Sequence, residues 1–321
     1  MNRPKCLLCR SEDSGPFLAV QDRNPGKGFQ ILKCADCGFV YLPLPSEMEE
    51  GLSDGQGACP PYPKEYWWTE SKGSFFPMLE KIYRDFLLFT EVRDILALVP
   101  EGKVLDVGCG KGDILKLLKK KGLEAHGLDS AGEAAGCARN VPGLHVAQGD
   151  LVGSEYETGC FDGITFFHVL EHITDPAGTL REAHRVLRDR GILVVQVPNI
   201  DSVQSGVFGR NWYGLQVPYH VSHFSPRTLT NLLDQTEFEI IRMKHFSLRC
   251  NSMILVSSLF PCLNPQALLE RSSRGKNPVL LKLTCLALTL LFQPFALLES
   301  TLGRGAVITA LARKRSRRGK K

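Results

Sequence analysis

Several features that would place this chain outside the cytoplasm are lacking from its sequence. The first residues, Met1 to Cys6, do not form the apolar core of a secretory signal peptide. The 11 cysteines show no dense disulfide pattern, and Cys109, Cys137 and Cys285 fall inside helical or strand patterns. Because these absences favour a reducing compartment, we expect a cytoplasmic protein.

Long uninterrupted hydrophobic runs are also lacking. A membrane-spanning helix needs about 20 apolar residues in succession, whereas the stretch 279–298 is interrupted by Lys282, Gln293 and Pro294. A shorter apolar run extends from Met253 to Phe260. We therefore expect residues 251–298 to form an interfacial helical hairpin or a dimer contact rather than a single span.

A net positive charge is lacking outside the C-terminal end of the chain. The formal net charge is +5, but seven Lys and Arg residues lie within residues 313–321, so the remainder carries a net charge of −2. A basic tail of this kind would be attracted to anionic lipid by about 1 kcal/mol per residue near the surface. The alternatives are a disordered solubilising tail or a segment that contacts RNA.

The segment KVLDVGCGKGD at residues 103–113 predicts a buried strand, a glycine turn and the start of a helix. Its glycines do not have the G-x-G-x-x-G spacing of a dinucleotide site, and it contains no G-K-[ST] phosphate motif. Asp106 at the end of the strand disfavours a pyrophosphate and suits a cationic ligand. We expect the backbone to approach that ligand closely at Gly108, Gly110 and Gly112.

Asp129 is a second candidate binding residue, because it ends the next predicted strand. It lies about twenty residues after the glycine turn, where nucleotide-binding folds place the acid that contacts ribose hydroxyls. The alternative is that Asp129 only caps the following helix. Gly149-Asp150 follows a third predicted strand, and by itself this pair is only a turn signal.

Two C-x-x-C pairs near the N-terminus predict a metal site. Each pair can place two thiolates on one tetrahedral ion, and four thiolates leave no open position, as in structural zinc sites. The alternative is free thiols or a redox pair. A ribbon of about 45 residues is too short to fold without the metal. The four predicted zinc ligands are Cys6, Cys9, Cys34 and Cys37.

The motifs after residue 100 resemble, in order, those of the class I S-adenosylmethionine-dependent methyltransferases. They comprise the glycine turn, HVLEH at residues 168–172 and RVLRDRGIL at residues 185–193, and the resemblance covers about residues 100–245. It implies an α/β fold with a Rossmann-like, seven-stranded, mostly parallel sheet. It also implies S-adenosylmethionine as the cofactor, with Asp150 contacting the adenine amino group and Leu151 packing nearby.

The segment PYHVSHF at residues 218–224 is similar to a segment of zinc-ribbon methyltransferases that accompany glycan biosynthesis. It is also similar to the Y-H-E-H segment of sugar C-methyltransferases, although the central Glu is replaced by Val221 and Ser222. Methyl transfer needs an aligned nucleophile and a group that removes its proton. We rank His220 first and His168 second as base or orienter and include His223; the alternatives are packed histidines and transfer without a base.

These patterns divide the chain into six parts. They are a zinc-ribbon-like module (1–45), a linker (46–73), an S-adenosylmethionine-binding core (74–249), an apolar helical insertion (250–303), the last strand of the core (304–312) and a basic tail (313–321).

We expect methyl transfer to a small-molecule or lipid-linked acceptor, such as a sugar in surface glycan biosynthesis. The protein would be peripheral on the inner face of the membrane, through residues 251–298 and the tail, and could form a homodimer. One alternative is an RNA methyltransferase that holds RNA with the ribbon and tail, but the acidic remainder of the chain argues against nucleic acid. The other is a non-enzymatic S-adenosylmethionine-binding or assembly protein.

Overall fold

The computed structural model describes residues 4–21, 28–43, 77–274 and 279–316. The predicted linker (46–73) and residues 317–321 of the basic tail lie outside the described residues. The described strands are β1 (Ser14–Gln21), β2 (Gly28–Cys34), β3 (Val40–Tyr41), β4 (Lys103–Val107), β5 (Glu124–Asp129), β6 (His145–Gln148), β7 (Phe161–Phe167), β8 (Leu187–Pro198), β9 (Ser222–His223), β10 (Phe238–Lys244) and β11 (Val307–Lys314). The described helices are α1 (Pro77–Leu98), α2 (Asp113–Lys120), α3 (Gly132–Arg139), α4 (Pro176–Val186), α5 (Val203–Phe208), α6 (Pro226–Gln235), α7 (Asn251–Leu259), α8 (Pro265–Ser273), α9 (Val279–Leu291) and α10 (Gln293–Thr301).

Seven strands form the central sheet, in the order β10-β11-β8-β7-β4-β5-β6. Neighbours among β4 to β8 are parallel, whereas β11 lies antiparallel between β8 and β10. The predicted Rossmann-like, seven-stranded, mostly parallel sheet is therefore confirmed. Because the carboxyl ends of parallel strands meet at one edge, the segments that follow β4, β5, β6 and β7 gather there.

The central strands bury side chains on both faces, which explains their continuous apolar runs. On one face, Val104 of β4 and Val194 of β8 belong to a cluster that includes residues of α1 and α2. On the other face, Leu105 and Leu193 belong to a second cluster that includes residues of α4 and α6. Successive residues of a strand point to opposite faces, so the sheet is covered by helices on both sides.

The N-terminal ribbon is joined to the core by strand pairing. β1, β2 and β3 are antiparallel, and β3 also pairs with β9, with Val40 opposite His223 and Tyr41 opposite Ser222. The ring of Phe39 packs 5.3 Å from that of Phe224. The sequence suggested a separate small module, but the structure shows a four-stranded sheet shared with the segment that carries the predicted histidines.

The apolar insertion between β10 and β11 folds into helices, as predicted. Among the described residues, no single helix is long and apolar enough to cross a membrane. The pair α9 and α10 passes that test together by length and composition, with a bend of 41° between them. The first helix of the insertion, α7, packs against the core through buried Ile254 and Leu255.

The last strand ends later than the predicted residue 312. β11 continues to Lys314, with Arg313 opposite Ile192 of β8 and Glu239 of β10. Nζ of Lys314 donates a hydrogen bond to the carbonyl oxygen of Leu187 (2.6 Å). The first two cations of the predicted tail therefore belong to the sheet, because their backbone continues the ladder.

Candidate active site

The glycine turn between β4 and α2 forms an open cradle at the carboxyl edge of the sheet. Gly108, Gly110 and Gly112 have positive φ angles of 72°, 53° and 77°, which residues with a Cβ rarely adopt. A Cβ on Gly108 would lie 2.3 Å from Cγ2 of Val169, whereas one on Gly110 would meet no described atom within 4 Å. The turn therefore packs against the segment after β7 and leaves space above Gly110 for a ligand.

Asp129, at the end of β5, holds this turn in place. Its Oδ2 accepts a hydrogen bond from the backbone N–H of Gly110 (2.7 Å), and its Oδ1 accepts one from Ala131 at the start of α3 (2.8 Å). An ionised carboxylate can accept about four hydrogen bonds, so Asp129 keeps capacity for ribose hydroxyls. Both sequence interpretations, ribose contact and helix capping, are compatible with this geometry.

Two further carboxylates, those of Asp106 in β4 and Asp150 after β6, lie in or after the strands on which the glycine turn and its neighbours are built. Asp106 is buried and its Oδ1 accepts a hydrogen bond from Thr165 (2.7 Å). Burial, with a smaller contribution from the charge of Asp129 and against the hydrogen bond from Thr165, raises the pKa of Asp106 to about 7. Asp150 follows β6 on the surface, and Leu151 beside it is buried. A row of carboxylates suits a cationic ligand better than a phosphate.

His168 is the first residue after β7, and it lies between two acidic partners. Its Nε2 lies 3.3 Å from Sγ of Cys250, and its Nδ1 lies 3.4 Å from Oε1 of Glu171. Burial lowers the pKa of His168, but its interactions with Cys250 and Glu171 outweigh burial and raise the pKa to about 10. A protonated imidazole donates hydrogen bonds, so this geometry fits an orienting role better than that of a base.

His220 and His223 lie on the other side of the same cluster. His220 is 3% exposed, and its Nδ1 lies 2.9 Å from the carbonyl oxygen of Gly214. Burial lowers the pKa of His220 well below its usual value, and the nearby His172 and His223 lower it further. Burial also lowers the pKa of His223 to about 4. Both imidazoles are therefore neutral at physiological pH.

The structure adds two residues that the predicted set of site residues did not include. Glu171 and His172 follow His168 in a short helical turn, and the ring of His172 lies 4.6 Å from that of His220. The spacing H-x-x-E-H was the available signal, because residues three and four positions apart can face the same way in a helical turn. All three predicted histidines and these two residues form one cluster.

The four predicted zinc ligands also come together. The Sγ atoms of Cys6, Cys9, Cys34 and Cys37 lie within 4.8 Å of one another. Cys6 and Cys37 are separated by 3.6 Å, and Cys9 and Cys34 by 3.5 Å. With zinc–sulfur bonds of about 2.3 Å, a tetrahedral site has sulfurs about 3.8 Å apart. The cluster thus fits a tetrahedral metal ion.

A family model described as a methyltransferase domain matches residues 80–243, about half of the chain. The chain belongs to this family. The match contains the glycine turn, Asp129 and the segments with the predicted histidines, whereas the four cysteines of the ribbon and Cys250 lie outside it. The prediction from the motifs, that the chain is a member of the class I S-adenosylmethionine-dependent methyltransferases, is confirmed.

Several known proteins are similar to this chain. It is 38% identical over 117 residues to an uncharacterized 37.1 kDa protein in transposon TN4556 of Streptomyces fradiae, which covers 34% of each chain. It is 29% identical over 138 residues to a protein of Mycolicibacterium smegmatis named probable S-adenosylmethionine-dependent methyltransferase, which covers 43% of this chain and 52% of the relative. These matches thus span about a third to a half of those relatives.

Two further similarities cover more of the matched proteins. The chain is 26% identical over 207 residues to the ubiquinone biosynthesis O-methyltransferase of Actinobacillus pleuropneumoniae, covering 56% of this chain and 83% of that enzyme. A crystal structure of a SAM-dependent methyltransferase from Archaeoglobus fulgidus aligns with a TM-score of 0.49 and 18% identity, covering 75% of this chain and all of that one (100%).

Proposed function

We propose that this protein transfers a methyl group from S-adenosylmethionine to a small-molecule or lipid-linked acceptor. The observation that carries the proposal is the close packing of Gly108 on Val169. This packing brings the glycine turn and the aspartates around it, which suit a cationic ligand, beside the cluster of buried histidines. The family membership supports S-adenosylmethionine as the methyl donor, and the space above Gly110 fits a ligand that lies against the backbone.

The bound cofactor would supply an electrophilic methyl carbon on a positively charged sulfur. The protein must then align the acceptor with the carbon–sulfur bond and keep water out. In this proposal Asp129 holds the ribose hydroxyls, Asp150 faces the adenine amino group and Leu151 packs beside it. Asp106 provides negative charge beneath the glycine turn.

The histidine cluster would handle the proton of the acceptor. His220 is neutral and buried, so it is the first candidate to accept that proton, with His223 beside it. His168 is held in its protonated form by Cys250 and Glu171, so we assign it the role of an orienting group. A neutral imidazole with a lowered pKa is a weak base, which favours an acceptor whose proton is already acidic or is made so by another group.

We further propose that the four-cysteine cluster binds structural zinc. The ion would fix the loops that contain the two C-x-x-C pairs, and with them β3. Because Val40 and Tyr41 of β3 pair with Ser222 and His223 of β9, zinc in the ribbon would also position the histidine segment. The role of the metal would be structural, because four thiolates leave no coordination position open.

The insertion supports a lipid-linked acceptor at a membrane surface. Its first helix begins beside the site, since Cys250 contacts His168. Farther along, α9, α10 and the residue after α10 expose many leucines, and large exposed apolar areas are typical of interaction or membrane sites. The residues with more than half of their surface exposed are Leu280, Leu283, Leu290, Leu291, Leu297, Leu298 and Leu302. We propose that this face contacts the membrane, with the protein peripheral in the cytoplasm.

Membrane contact can be tested by vesicle flotation. The full chain is compared with Leu290→Asp, and with Leu7→Ala as a control for a buried leucine in the ribbon. Binding to vesicles with anionic lipid that is lost in Leu290→Asp alone would support the surface. Equal flotation of all three proteins would contradict this face as the membrane contact, and no flotation by wild type would favour a dimer contact there.

The acceptor class is tested by release of S-adenosylhomocysteine. The zinc-loaded protein is supplied with S-adenosylmethionine and either lipid-linked sugars, free sugars, phenolic compounds or RNA. Turnover with a small or lipid-linked acceptor is expected. Turnover with RNA alone, falling steeply with salt, would establish the nucleic-acid alternative, which has less support now that Arg313 and Lys314 belong to β11. Tight cofactor binding without turnover on any acceptor would favour the non-enzymatic alternative.

A further inference from the structure

We propose that Glu171, His172 and His220 bind a divalent metal ion on the acceptor side of the active site. One candidate ligand atom from each residue lies within 4.8 Å of the other two. Glu171 and His172 come from the turn after β7, and His220 comes from the segment before β9. The binding of the ion stands on this geometry, whereas its catalytic role rests on the proposed function.

Glu171 points most directly to a bound cation. Its side chain is 1% exposed, and within the described part of the chain neither carboxylate oxygen has a hydrogen-bond partner. The nearby Nδ1 of His168 is 3.4 Å from Oε1, which is longer than a good hydrogen bond. A buried carboxylate is costly unless it is paired or coordinates a metal, and the ion pair with His168 leaves Oε2 of Glu171 without a described hydrogen-bond partner. A divalent ion against Glu171 would meet that requirement.

His172 and His220 each make the kind of backbone hydrogen bond that metal-ligating histidines usually make. Nδ1 of His172 lies 2.9 Å from the carbonyl oxygen of Tyr219, and Nδ1 of His220 lies 2.9 Å from that of Gly214. Only a protonated ring nitrogen can donate to a carbonyl, so Nδ1 carries the proton in each neutral ring and Nε2 presents the lone pair. Ligating histidines almost always donate their other N–H in this way.

The donor set distinguishes this site from the four-cysteine cluster. Two imidazole nitrogens and one carboxylate suit ions such as Zn²⁺, Fe²⁺ or Mn²⁺, and they leave coordination positions open for another ligand. Metal ions with three protein ligands and open coordination positions are typical of catalytic sites. The thiolates of the ribbon, by contrast, complete a tetrahedral shell and prefer zinc to a hard ion such as Mn²⁺.

An ion at this position would favour a hydroxyl oxygen as the acceptor atom. A hydroxyl bound at an open position loses its proton more readily, because the cation stabilises the resulting oxyanion, and the proton passes to solvent. The oxygen then forms a bond to the methyl carbon as the sulfur–carbon bond breaks. The sulfur keeps the electron pair of that bond, and S-adenosylhomocysteine is the second product. With the ion bound, His220 serves as a ligand and not as the base.

Metal binding by the full-length protein is the test. Wild type, Glu171→Gln, His172→Gln and a control variant, His145→Gln at an exposed position of β6, are loaded with zinc and their metal content is measured. We expect two zinc ions per chain in wild type and control, and one in the two site variants. Titration with Mn²⁺ followed by electron paramagnetic resonance should show one site in wild type, weakened about 100-fold or more by Glu171→Gln.

The result that would overturn the proposal is equal zinc stoichiometry in wild type and both site variants, together with no difference in Mn²⁺ binding. Two variants are used so that misfolding of one, detected by circular dichroism, leaves the other informative. Calorimetric binding of S-adenosylmethionine is measured on the same samples. Cofactor binding without the second metal would reject the metal site alone, whereas metal binding without cofactor binding would reject the proposed function alone.

Discussion

Asp106 should make the binding of S-adenosylmethionine depend on pH near neutrality. Burial, with a contribution from Asp129, raises the pKa of its carboxyl from 3.8 to about 7. A cationic ligand favours the ionised carboxylate, so the protonated form must release its proton before the ligand binds fully. The ionised fraction of a group with this pKa rises about tenfold between pH 6 and pH 8, and the affinity should rise by about the same factor.

The assay is calorimetry at pH 6, 7 and 8 with wild type and Asp106→Asn, in two buffers of different ionisation enthalpy. The amino group of the ligand titrates equally in the experiments with the two proteins. The ratio of the wild-type affinity to the Asp106→Asn affinity therefore isolates the contribution of Asp106. We expect this ratio to rise about tenfold in favour of wild type over the range, with proton release at pH 6 in wild type alone. A ratio that does not change with pH would refute the reasoning.

Three further predictions concern the turn, the insertion and the ribbon. Gly108→Val should abolish cofactor binding in calorimetry, because even a Cβ would overlap Val169, whereas Gly136→Ala on α3 meets no described atom and should bind normally. Burial raises the pKa of Glu299 from 4.5 to about 7, so the folded state holds the proton more tightly and stability falls as pH rises from about 4.5 through 7. Thermal melts should show Glu299→Gln more stable than wild type at pH 8, by an amount up to the order of 3 kcal/mol, with no gain at pH 4. Cys34→Ser, or removal of zinc by a chelator, should lower the melting temperature and increase amide exchange in β9; unchanged exchange there would contradict the link between ribbon and site.

The cofactor side of the site could be predicted from sequence because its signals are local. The strand, glycine turn and helix of residues 103–120 are continuous in the chain, and Asp129 follows at a fixed spacing. Each of these features requires only that the βαβ unit forms. The four cysteines were equally predictable, because paired C-x-x-C spacing reflects the geometry of one tetrahedral ion.

The acceptor side could not be predicted to the same extent, because it depends on tertiary contacts. His220 is 48 positions beyond His172, so nothing in the local pattern shows that their rings are 4.6 Å apart. The pairing of β3 with β9 involves only two residues on each strand, which is too short for a periodic signal. The contact of Cys250 with His168 likewise depends on where the insertion begins relative to the sheet.

The boundary of the last strand illustrates a different difficulty. Arg313 and Lys314 resemble the basic residues that follow them, and composition therefore assigned them to the tail. Their backbone pairs with β10, and Lys314 reaches the carbonyl oxygen of Leu187. At the end of a strand, charged side chains can extend to solvent or to a carbonyl oxygen while the backbone keeps its hydrogen bonds to the neighbouring strands. A strand boundary drawn from hydrophobicity alone is therefore placed too early in the sequence.

The most direct measurement of the central claim is calorimetric binding of S-adenosylmethionine and S-adenosylhomocysteine to the zinc-loaded protein. Wild type is compared with Asp129→Ala, with the conservative Asp129→Asn, and with Asp189→Ala at an exposed position of β8 as the matched control. We predict binding of both ligands by wild type and Asp189→Ala, with affinity greatly reduced in both Asp129 variants. Absence of binding by folded wild type would contradict the assignment of the acidic glycine-turn cradle as the cofactor site.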